Sequence, residues 1–571
     1  MKTGARSRPS RSLIPLWDTL RTYQASWLRG DVVAGLTACM VMIPSVMAYA
    51  ELVHLPAITG LYAALAAAVG YALFASSRQV IAGPDAAIGL LVGTAILPLA
   101  AGDPLRMATL AAVLALLAGA ILLLAARLQL GVIADLLSRP VLVGYLNGAS
   151  LVLLSTQLGK LFAIPATSDA FFPVLGGLIR DIGQTHMPTM MLGLALMIML
   201  FGLARWFPKI PGALAVAASA MAGSYFLDWK QYGIALVGAV PSGIPTITMP
   251  VIYWADIAAL APAAFAIAFL AFSDGILLAQ SFAEKNNYEV NPNQELAALG
   301  SANILAAVWQ GFPVSASQSR TSIVDAAGGR TQVAQLVAAG GLLLFLVFFT
   351  GVIAWLPKVA LGAILIVTAI GMLEVASLRA LYRVDRNEFA IALGVTLAIL
   401  IAGVVPGILA GLLMSLTAVL VQISRPRDAV LRRLTSDGKF HDCLDDDVAT
   451  TVPGVIVYRL YAPLIFANAR YVVSRIQELV DAAGPELAWV IIDAQAITDM
   501  DVTAAQRFAQ LHKELLSLGV EVKIADAPRP FREELRKVGL SDELGSQQFF
   551  VSVKKAVEAF EQRKPLQQPN Q

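Results

Sequence analysis

The sequence predicts an α-helical membrane protein with a soluble α/β domain at its C-terminal end. Three observations support this fold class. Of the 571 residues, 57% are hydrophobic and only 14% are charged, whereas an ordinary soluble protein is about 25% charged. Apolar runs of roughly the 20 residues that cross a bilayer recur between Val32 and about Ile423. Charged residues return from about residue 425, where short strand-like and helix-like patterns alternate.

Basic residues at both ends of the apolar region predict its orientation. Positive charge stays on the cytoplasmic side of a membrane. We therefore expect both termini in the cytoplasm of a multi-pass protein in a bacterial-type inner membrane. The number of spans, about twelve to fourteen by hydropathy, should then be even. No cleavable signal peptide is expected. The basic residues are Lys2, Arg6, Arg8, Arg11, Arg21 and Arg29 at the start and Arg425, Arg427, Arg432 and Arg433 at the end.

The change in composition also predicts the domain boundaries. We expect a cytoplasmic segment at residues 1–30, a transmembrane transport domain at 31–424, a linker with the start of the soluble domain at 425–454, the soluble domain itself at 455–565, and a tail at 566–571. Alternating strands and helices predict a small sheet covered by helices. The predicted strands are residues 455–460, 489–493 and 520–525, and the predicted helices are 502–516, 530–538 and 551–561.

Several classes of function are disfavoured by the composition. A net charge of +2, with the basic residues at loops and termini, argues against a nucleic-acid partner. The only cysteines are Cys39 and Cys443, and the four histidines form no spaced motif, so no disulfide, metal or cofactor is predicted. No nucleophile–base pair or nucleotide fingerprint indicates an enzyme.

Two apolar segments, one in each half of the membrane region, are interrupted by glycine and proline. Residues 60–89 are broken at Ile81-Ala82-Gly83-Pro84, and residues 300–329 at Gly311-Phe312-Pro313. Backbone that a break frees must line a cavity or be buried in protein, because lipid cannot bond to it. Matching breaks in two halves indicate an inverted repeat with a substrate site at the midplane. The alternative is a simple kink in each helix.

The two breaks predict an anion site. A half-helix that begins inside the membrane exposes unpaired N–H groups and the positive end of its dipole. We expect one such helix to begin near Pro84 and the other near Ser315, with Arg320 adding a permanent cation. Alternatively, Arg320 pairs with Asp325 or reaches the surface. The predicted substrate-binding residues are Ser45, Tyr49, Pro84, Asp85, Ala86, Ala87, Ser317, Gln318, Ser319 and Arg320.

One acidic residue inside an apolar helix is the candidate for coupling transport to a proton or a cation. Asp274 lies within an apolar helix, where a charged carboxylate costs about 2.5–3.5 kcal/mol, so it should face a cavity and bind a cation or take up a proton. A bracing role for Asp274 is the alternative. Asp85 is expected to offset the helix dipole, although it would weaken anion binding if it faced the cavity. Ser45 and Tyr49 offer hydroxyls to a ligand or simply pack between helices.

These motifs resemble the sulfate permease (SulP) family, also called solute carrier family 26. The resemblance covers nearly the whole chain, and the tail resembles the STAS domain shared by sulfate transporters and anti-sigma-factor antagonists. The motifs in the membrane region are WLRGD at 27–31, residues 44–50, PAITGLY at 56–62, Ser77-Arg78, Gly83-Pro84, NQELAALGSAN at 293–303, FPVSASQSR at 312–320 and GGRT at 328–331. Those in the tail are YRLYAPLIFANA at 458–469 and Asp501-Val502-Thr503.

The resemblance implies fourteen transmembrane helices as two inverted seven-helix repeats. A core domain would move against a gate domain like an elevator, usually within a homodimer. The anion would lie between the third and tenth helices, at the two breaks. Ser319 and Arg320 match the family's Ser-Arg pair, and Asp274 matches its acidic residue on the eighth helix.

Two departures from the family pattern bear on the substrate. Ser45 stands where most members have Gln, which shortens or removes one contact to the anion. Leu278 stands where the sodium-coupled bicarbonate branch has Thr, which favours a proton at Asp274. That branch also lacks the arginine kept here as Arg320, which favours a sulfate-like anion or a dicarboxylate. Thr503 matches a position near a phosphorylated Ser, or else only caps a helix.

The leading hypothesis is secondary active transport, as proton-coupled symport of sulfate or a related divalent oxyanion or dicarboxylate. A second hypothesis is bicarbonate or chloride exchange, or uniport, without protons. A third, from another class, is a membrane-anchored anion sensor or scaffold that acts through the STAS domain. The expected partners are the anion, a coupling proton, the lipid bilayer, a second copy of the chain and a possible cytoplasmic protein that binds the STAS domain.

Overall fold

A computed structural model describes residues 14–131, 139–164, 171–207, 210–238, 241–434, 439–442, 449–537, 539–540 and 545–563. The chain divides into two compact units, Met1–Ser415 and Leu416–Gln571. The first unit is helical, and the second combines a sheet with helices.

Helices dominate the first unit. In chain order they are α1 Pro15–Arg21, α2 Ala25–Leu52, α3 Ala57–Phe74, α4 Ala86–Ala100, α5 Pro104–Arg127, α6 Arg139–Phe162, α7 Phe171–Asp181, α8 Met187–Trp206, α9 Gly212–Leu227, α10 Trp254–Lys285, α11 Pro292–Val308, α12 Gln318–Ala326, α13 Val333–Phe348, α14 Thr350–Ile353, α15 Lys358–Met372, α16 Val375–Val384, α17 Arg386–Ala402 and α18 Val404–Ser424. The last of these, α18, continues into the second unit.

Many of these helices have the length and composition of membrane spans. Within the described residues, eight segments are long and apolar enough to cross a bilayer, and three shorter apolar helices accompany them. The predicted helical membrane class is therefore confirmed. The eight are α2, α3, α5, α6, α8, α10, the segment Lys358–Val384 and α18, and the three are α4, α9 and α13.

The spans form two bundles. The first bundle consists of α2–α5 and α10–α13, which pack mainly on one another. The second bundle contains α6–α9 and α15–α17, with α18 packed on α6 and α17 through Gly411. The bundles meet where α2 contacts α9 and α15, and where α4 contacts α6 and α15. A groove between two separately packed bundles is a usual place for a ligand.

Glycines allow the helices of the first bundle to approach closely. A Cβ on Gly60 would lie 2.0 Å from the carbonyl oxygen of Val46, and one on Gly70 would lie 2.7 Å from the Cα of Ala302. Helices in lipid gain little from the hydrophobic effect and associate through such close packing. Substitution of either glycine would push α3 away from α2 or α11.

The two predicted breaks are the irregular centre of the first bundle. After α3 ends at Phe74, the chain runs extended to the two-residue strand β1 (Ala82–Gly83). After α11 ends, it runs to β2 (Ser315–Ala316). The two strands pair antiparallel, with Ala82 opposite Ala316. The two interrupted helices therefore meet at one point inside the bundle.

The second unit is built on a five-stranded sheet with the order β10-β9-β8-β7-β3. Strands β7 to β10 are parallel, and β3 is antiparallel to β7. A second sheet has the order β5-β4-β6. The strands are β3 Asp428–Val430, β4 Arg432–Leu434, β5 Phe440–His441, β6 Ala449–Thr450, β7 Val455–Leu460, β8 Trp489–Asp493, β9 Glu521–Ala525 and β10 Phe549–Phe550.

Helices cover both faces of the main sheet. They are α19 Ala469–Ala483, α20 Val502–Ser517, α21 Arg529–Lys537 and α22 Val553–Arg563. Val490 and Ile492 of β8 pack with α19 and α20, whereas Trp489 and Ile491 pack with α22. This alternation follows from the two-residue period of a strand.

The predicted α/β class of the soluble domain is confirmed, and its three predicted strands and three predicted helices are present within a few residues. Sequence analysis did not predict α19 or the short edge strands β3 and β10. Residues 435–438 and 443–448 of the predicted linker, including Cys443, lie outside the described residues.

Candidate functional site

Helix α12 begins at the second break with an unusually open N-terminus. It starts at Gln318, three residues later than expected, because Ser315 and Ala316 pair with β1 and Ser317 becomes the N-cap. The Ser317 side chain makes no capping hydrogen bond to the helix; its hydroxyl lies 3.4 Å from that of Ser319. Among the described residues, the amides of Gln318, Ser319 and Arg320 have no acceptor. These N–H groups can bind an anion.

Helix α4 begins at the first break with a closed N-terminus. It starts at Ala86, two residues after Pro84, and Asp85 is the N-cap, whose carboxylate accepts the Ala87 amide at 3.0 Å. Aspartate is among the preferred N-cap residues, because it satisfies an N–H that the helix cannot. Pro84 precedes the cap and contributes its carbonyl to Arg320 instead.

Arg320 connects the two breaks. Its Nη2 donates to the carbonyl oxygen of Pro84 at 2.7 Å, and its side chain is only 2% exposed. Its Nε is buried and has no acceptor among the residues that the structure describes. Arg320 therefore does not reach the surface, and Asp325 bonds Lys285 and Asn286 instead of it. A buried guanidinium with an unused donor favours an anionic guest.

Polar groups beside Arg320 are accessible to solvent. Gln318, Ser319 and Ser322 are exposed on one side of α12, and Asp274 is exposed near the middle of α10. The charges of Asp274 and Asp85 act on each other, so both carboxylates lie near the breaks. Inside a bilayer, exposed polar groups of this kind would have to line a water-filled cavity.

Hydroxyl groups from both bundles surround the same place. Tyr49 of α2 is buried, close to Thr368 of α15 and to the charges of Asp85 and Arg320. Ser45 donates to the carbonyl oxygen of Val41 at 3.0 Å, so its proton is used within its own helix. The structure brings Tyr49, Asp85 and Arg320 together, and the role of Ser45 as a ligand stays a prediction.

Sequence reasoning did not identify Tyr145 of the second bundle as part of the site. Tyr145 donates to the carbonyl oxygen of Ala87 at 2.8 Å and interacts with the charges of Asp85 and Asp274. Its position follows from the contact between α6 and α4, which no local pattern reveals.

Buried side chains satisfy the backbone of the two breaks. Asn303 accepts from the Val314 amide and donates to its carbonyl, both at 3.0 Å. Gln332 donates to the carbonyls of Ser77 and Val80 at 2.9 and 3.0 Å, and Gln335 accepts from the Ala82 amide. Asn303 and Gln335 are polar residues inside helical, mostly apolar stretches, which is a signal that the sequence contains.

Two buried carboxylates hold the loops that flank the breaks. Glu295 accepts from the amides of Ser76 and Ser77 at 2.9 and 2.8 Å and from the hydroxyl of Tyr71. Asp31 accepts from the amide and hydroxyl of Thr331 at 3.2 and 2.6 Å. These acids fix the position of the site without facing it.

In the soluble unit, Thr503 is exposed in the first turn of α20. The N-cap of this helix is Asp501, whose carboxylate accepts the Ala504 amide at 2.8 Å and the Phe466 amide at 2.6 Å. Thr503 is therefore not the cap that the sequence suggested as its ordinary role.

Comparison with protein families identifies the fold. The model of the sulfate permease family matches residues 28–395, and that of the STAS domain matches residues 448–556. The chain belongs to the sulfate permease family. This match confirms the resemblance found in the sequence. The family is one of transporters and not of enzymes.

Relatives and solved structures agree with this membership. A probable sulfate transporter of Mycobacterium tuberculosis (strain CDC 1551 / Oshkosh) is 41% identical to this chain, over 95% of this chain and 97% of the relative. The murine solute carrier 26 family member A9 in the inward-facing state gives a TM-score of 0.88 at 22% identity, over 99% of this chain and 97% of that chain. The transmembrane domain of the cyanobacterium bicarbonate transporter BicA gives a TM-score of 0.60 at 20% identity, over 69% of this chain and 98% of that chain. The two structures establish the fold alone.

Proposed function

We propose that this sulfate permease is a secondary active anion transporter that takes up sulfate, a related divalent oxyanion or a dicarboxylate together with protons. The observation on which the proposal rests is the position of Arg320, which lies buried at the meeting point of two half-helices. Its Nε has no hydrogen-bond partner within the described part of the chain. The open amides of α12 add donors on the same side. A planar guanidinium and helix amides suit an oxyanion.

Support for this substrate class also comes from the curated relative in Mycobacterium tuberculosis, which is described as a probable sulfate transporter and aligns over nearly the full length of both chains. A divalent anion gains more from a permanent cation than a monovalent anion does, since the Coulomb energy scales with charge. We therefore rank sulfate above bicarbonate and chloride.

Asp274 is our candidate for the coupling residue. It is exposed although it lies well inside α10, and no hydrogen bond or ion pair to its carboxylate is found within the described residues. An unpaired carboxylate at bilayer depth is costly unless it takes up a proton or a cation. With Leu278 one turn later, no side-chain oxygen stands at that position to help bind sodium, and we therefore assign a proton.

Proteoliposomes test the transport proposal. Uptake of labelled sulfate, succinate and bicarbonate should be compared with and without an inward proton gradient. We expect gradient-driven accumulation of sulfate or succinate, and its loss in Asp274→Asn. Exchange of bicarbonate or chloride at a rate that does not depend on the proton gradient would instead support the hypothesis of transport without protons. A chain without residues 436–571 that still binds sulfate would exclude the scaffold hypothesis.

We infer fourteen spans arranged as two inverted repeats of seven. The order α2, α3, β1, α4 in one half corresponds to α10, α11, β2, α12 in the other, and the antiparallel pairing of β1 with β2 fits an inverted relation. The basic ends of the chain favour cytoplasmic termini in an inner membrane. The proposed spans are α2–α6, α8 and α9 in the first repeat and α10–α13, α15, α17 and α18 in the second.

We also infer an elevator motion in which the first bundle carries the site past the second. Polar contacts between the bundles would have to break, and two of them join described residues. Tyr145 donates to the carbonyl of Ala87 beside the site, and Lys160 of α6 pairs with Glu51 of α2 at 3.5 Å. Cavities of about 240 and 410 Å³ flank this ion pair.

A cross-link tests the motion. In a chain with Cys39→Ser and Cys443→Ser, cysteines introduced at Glu51 and Lys160 should be joined by a short thiol-reactive linker. We expect the joined protein to bind sulfate but to transport none, with activity restored when the linker is cleaved. Full transport by the joined protein would exclude the motion.

For the STAS domain we propose a cytoplasmic protein partner, with Thr503 as a regulatory position. A phosphate at Thr503 would lie beside Asp501 and repel its carboxylate, which holds the Phe466 amide. Thr503→Glu should therefore change partner binding without loss of sulfate binding. The expected homodimer rests on the resemblance to the family, and light scattering in detergent should give twice the 60.4 kDa of one chain.

A further inference from the structure

The acid that caps α4 occupies the place where an anion would otherwise bind. The Asp85 carboxylate accepts the Ala87 amide at 3.0 Å and also bonds the Ala86 amide. At the facing end of α12, Ser317 leaves the corresponding amides open. A negative charge at one of two facing N-termini repels the anion that the other attracts.

Ionisable side chains face Asp85 from four helices. The two tyrosines are neutral phenols at ordinary pH, so the charges at the site belong to one arginine and two carboxylates. The groups are Tyr49 of α2, Tyr145 of α6, Asp274 of α10 and Arg320 of α12.

The charges of these groups do not balance when a divalent anion arrives. With both carboxylates ionised, Arg320, Asp85 and Asp274 carry a net charge of −1. Sulfate would bring the total to −3 inside the membrane, where charge is poorly solvated. Uptake of one proton by each carboxylate returns the loaded site to −1. The empty and loaded sites then have the same charge.

We propose that Asp85 is a second proton-carrying residue, so that each divalent anion enters with one proton on Asp85 and one on Asp274. The inference rests on the proposed function of proton-coupled anion uptake and adds its stoichiometry. When Asp85 takes up a proton, its hydroxyl becomes a donor to the anion, while its other oxygen still caps the Ala87 amide. The only bonds that form are the O–H bonds of the two carboxyl groups, and these break again when both protons leave with the anion on the other side.

A purely structural cap makes a different prediction from a proton carrier. Asparagine and serine are good N-caps that carry no charge, so Asp85→Asn and Asp85→Ser keep the cap and remove the proton site. Asp103 offers a matched control, because it caps α5 in the same way, accepting the Leu105 amide at 2.9 Å, and is exposed.

The first test measures proton and sulfate entry together in proteoliposomes, with labelled sulfate outside and a pH-sensitive dye inside. We expect about two protons per sulfate for the wild type and for Asp103→Asn, and about one for Asp85→Asn. At equilibrium a gradient of one pH unit should concentrate sulfate about 100-fold in the wild type and about 10-fold in the variant.

Voltage provides an independent measure of the same change. Two protons with one sulfate carry no net charge, so an imposed potential should not alter wild-type accumulation. With one proton, Asp85→Asn would move one negative charge inward. An inside-negative potential of about 100 mV should then lower its accumulation roughly 50-fold.

Binding to the full chain in detergent keeps the inference testable if the variants bind sulfate but do not transport it. In the alkaline range, where both carboxylates ionise, sulfate affinity of the wild type should fall about 100-fold per pH unit. In Asp85→Asn or Asp85→Ser, sulfate affinity should fall about 10-fold per pH unit. The variant that gives the better monodisperse preparation is used.

Two results separate the failures. If the wild type moves sulfate without protons, the proposed function is wrong, and this inference is wrong with it. If the wild type moves protons but Asp85→Asn keeps its stoichiometry, voltage response and binding slope, the inference alone is overturned and Asp85 is only a cap.

Discussion

The two interrupted helices have similar backbones and opposite chemistry. Each break ends in a two-residue strand followed by a half-helix, and the strands pair with each other. The first turn of α4 is apolar behind its acidic cap, Asp85, whereas the first turn of α12 contains Gln318, Ser319 and Arg320. The shared backbone forms a scaffold, and anion affinity should depend mainly on the α12 side.

The breaks also differ in how their backbone is supported. The second break depends on Asn303 of α11, the helix that leads into it. The first break depends on residues far along the chain, namely Thr321 of α12, Gln332 at the N-cap of α13, and Gln335 of α13. A defect on the α12 side should therefore affect both breaks, whereas a defect near α4 should remain more local.

Arg320→Ala should give the largest effect. It removes the buried cation and leaves the Pro84 carbonyl without its donor. Removing one partner of a buried charge interaction costs about 3–5 kcal/mol, so sulfate Kd should rise at least about 100-fold, measured by calorimetry or by the rate of uptake.

Controls separate loss of affinity from loss of fold. Arg205→Ala changes an exposed arginine in the last turn of α8 and should leave binding unchanged. Arg320→Lys keeps the charge without the planar fork and should fall between wild type and Arg320→Ala. If the Arg320→Ala variant folds and its sulfate Kd stays within a few-fold of the wild-type value, anion affinity does not depend mainly on the α12 side.

Glu295→Gln should lower stability strongly while affecting affinity less. The carboxylate accepts several hydrogen bonds from the segment that leads to the first break, and a carboxamide nitrogen would face those donors. Bonds to a charged group contribute about 1.5–3 kcal/mol each, so the melting temperature should fall by several degrees. Glu289→Gln, at an exposed acid nearby, is the control. A large loss of affinity at unchanged melting temperature would contradict the assignment of this side as scaffold.

Asn303→Leu should lower sulfate affinity more than Glu295→Gln does. It leaves the amide and carbonyl of Val314 unpaired in a buried place, at a cost of about 1–3 kcal/mol for each group. Because Val314 immediately precedes β2, the start of α12 should shift, and sulfate affinity should fall more than in Glu295→Gln. Gln280→Leu, at an exposed carboxamide of α10, is the control. Equal losses of affinity in the two variants would mean that the breaks act as one unit.

The breaks could be predicted from the sequence because their signal is local. Glycine and proline inside apolar runs are visible at Gly83-Pro84 and Gly311, and so is a charge such as Arg320. The first residues of α4 and α12 could not be placed correctly, since β1 pairs with β2 and Arg320 bonds Pro84 across 236 positions of sequence. Contacts of that range leave no trace in local periodicity.

Residues that act through tertiary contacts were missed for the same reason. Tyr145 reaches Ala87 only because α6 packs beside α4. In the soluble unit, α19 was overlooked although Val472, Ile476 and Val480 lie four residues apart and are all buried on one face. That pattern was present and would have predicted the helix.

Ser317→Ala should give the smallest effect and the sharpest contrast between the two caps. A serine N-cap ordinarily contributes about 1 kcal/mol through its side chain, but Ser317 makes no capping bond. The melting temperature should therefore change little, whereas Asp103→Ala, which removes the working cap of α5, should lower stability by about 1 kcal/mol. Sulfate affinity should nevertheless fall about fivefold in Ser317→Ala, as expected for one lost hydroxyl bond of about 1 kcal/mol. If Ser317→Ala instead loses stability and keeps its affinity, its hydroxyl serves the helix, and the open N-terminus of α12 is not the half of the site that binds the anion.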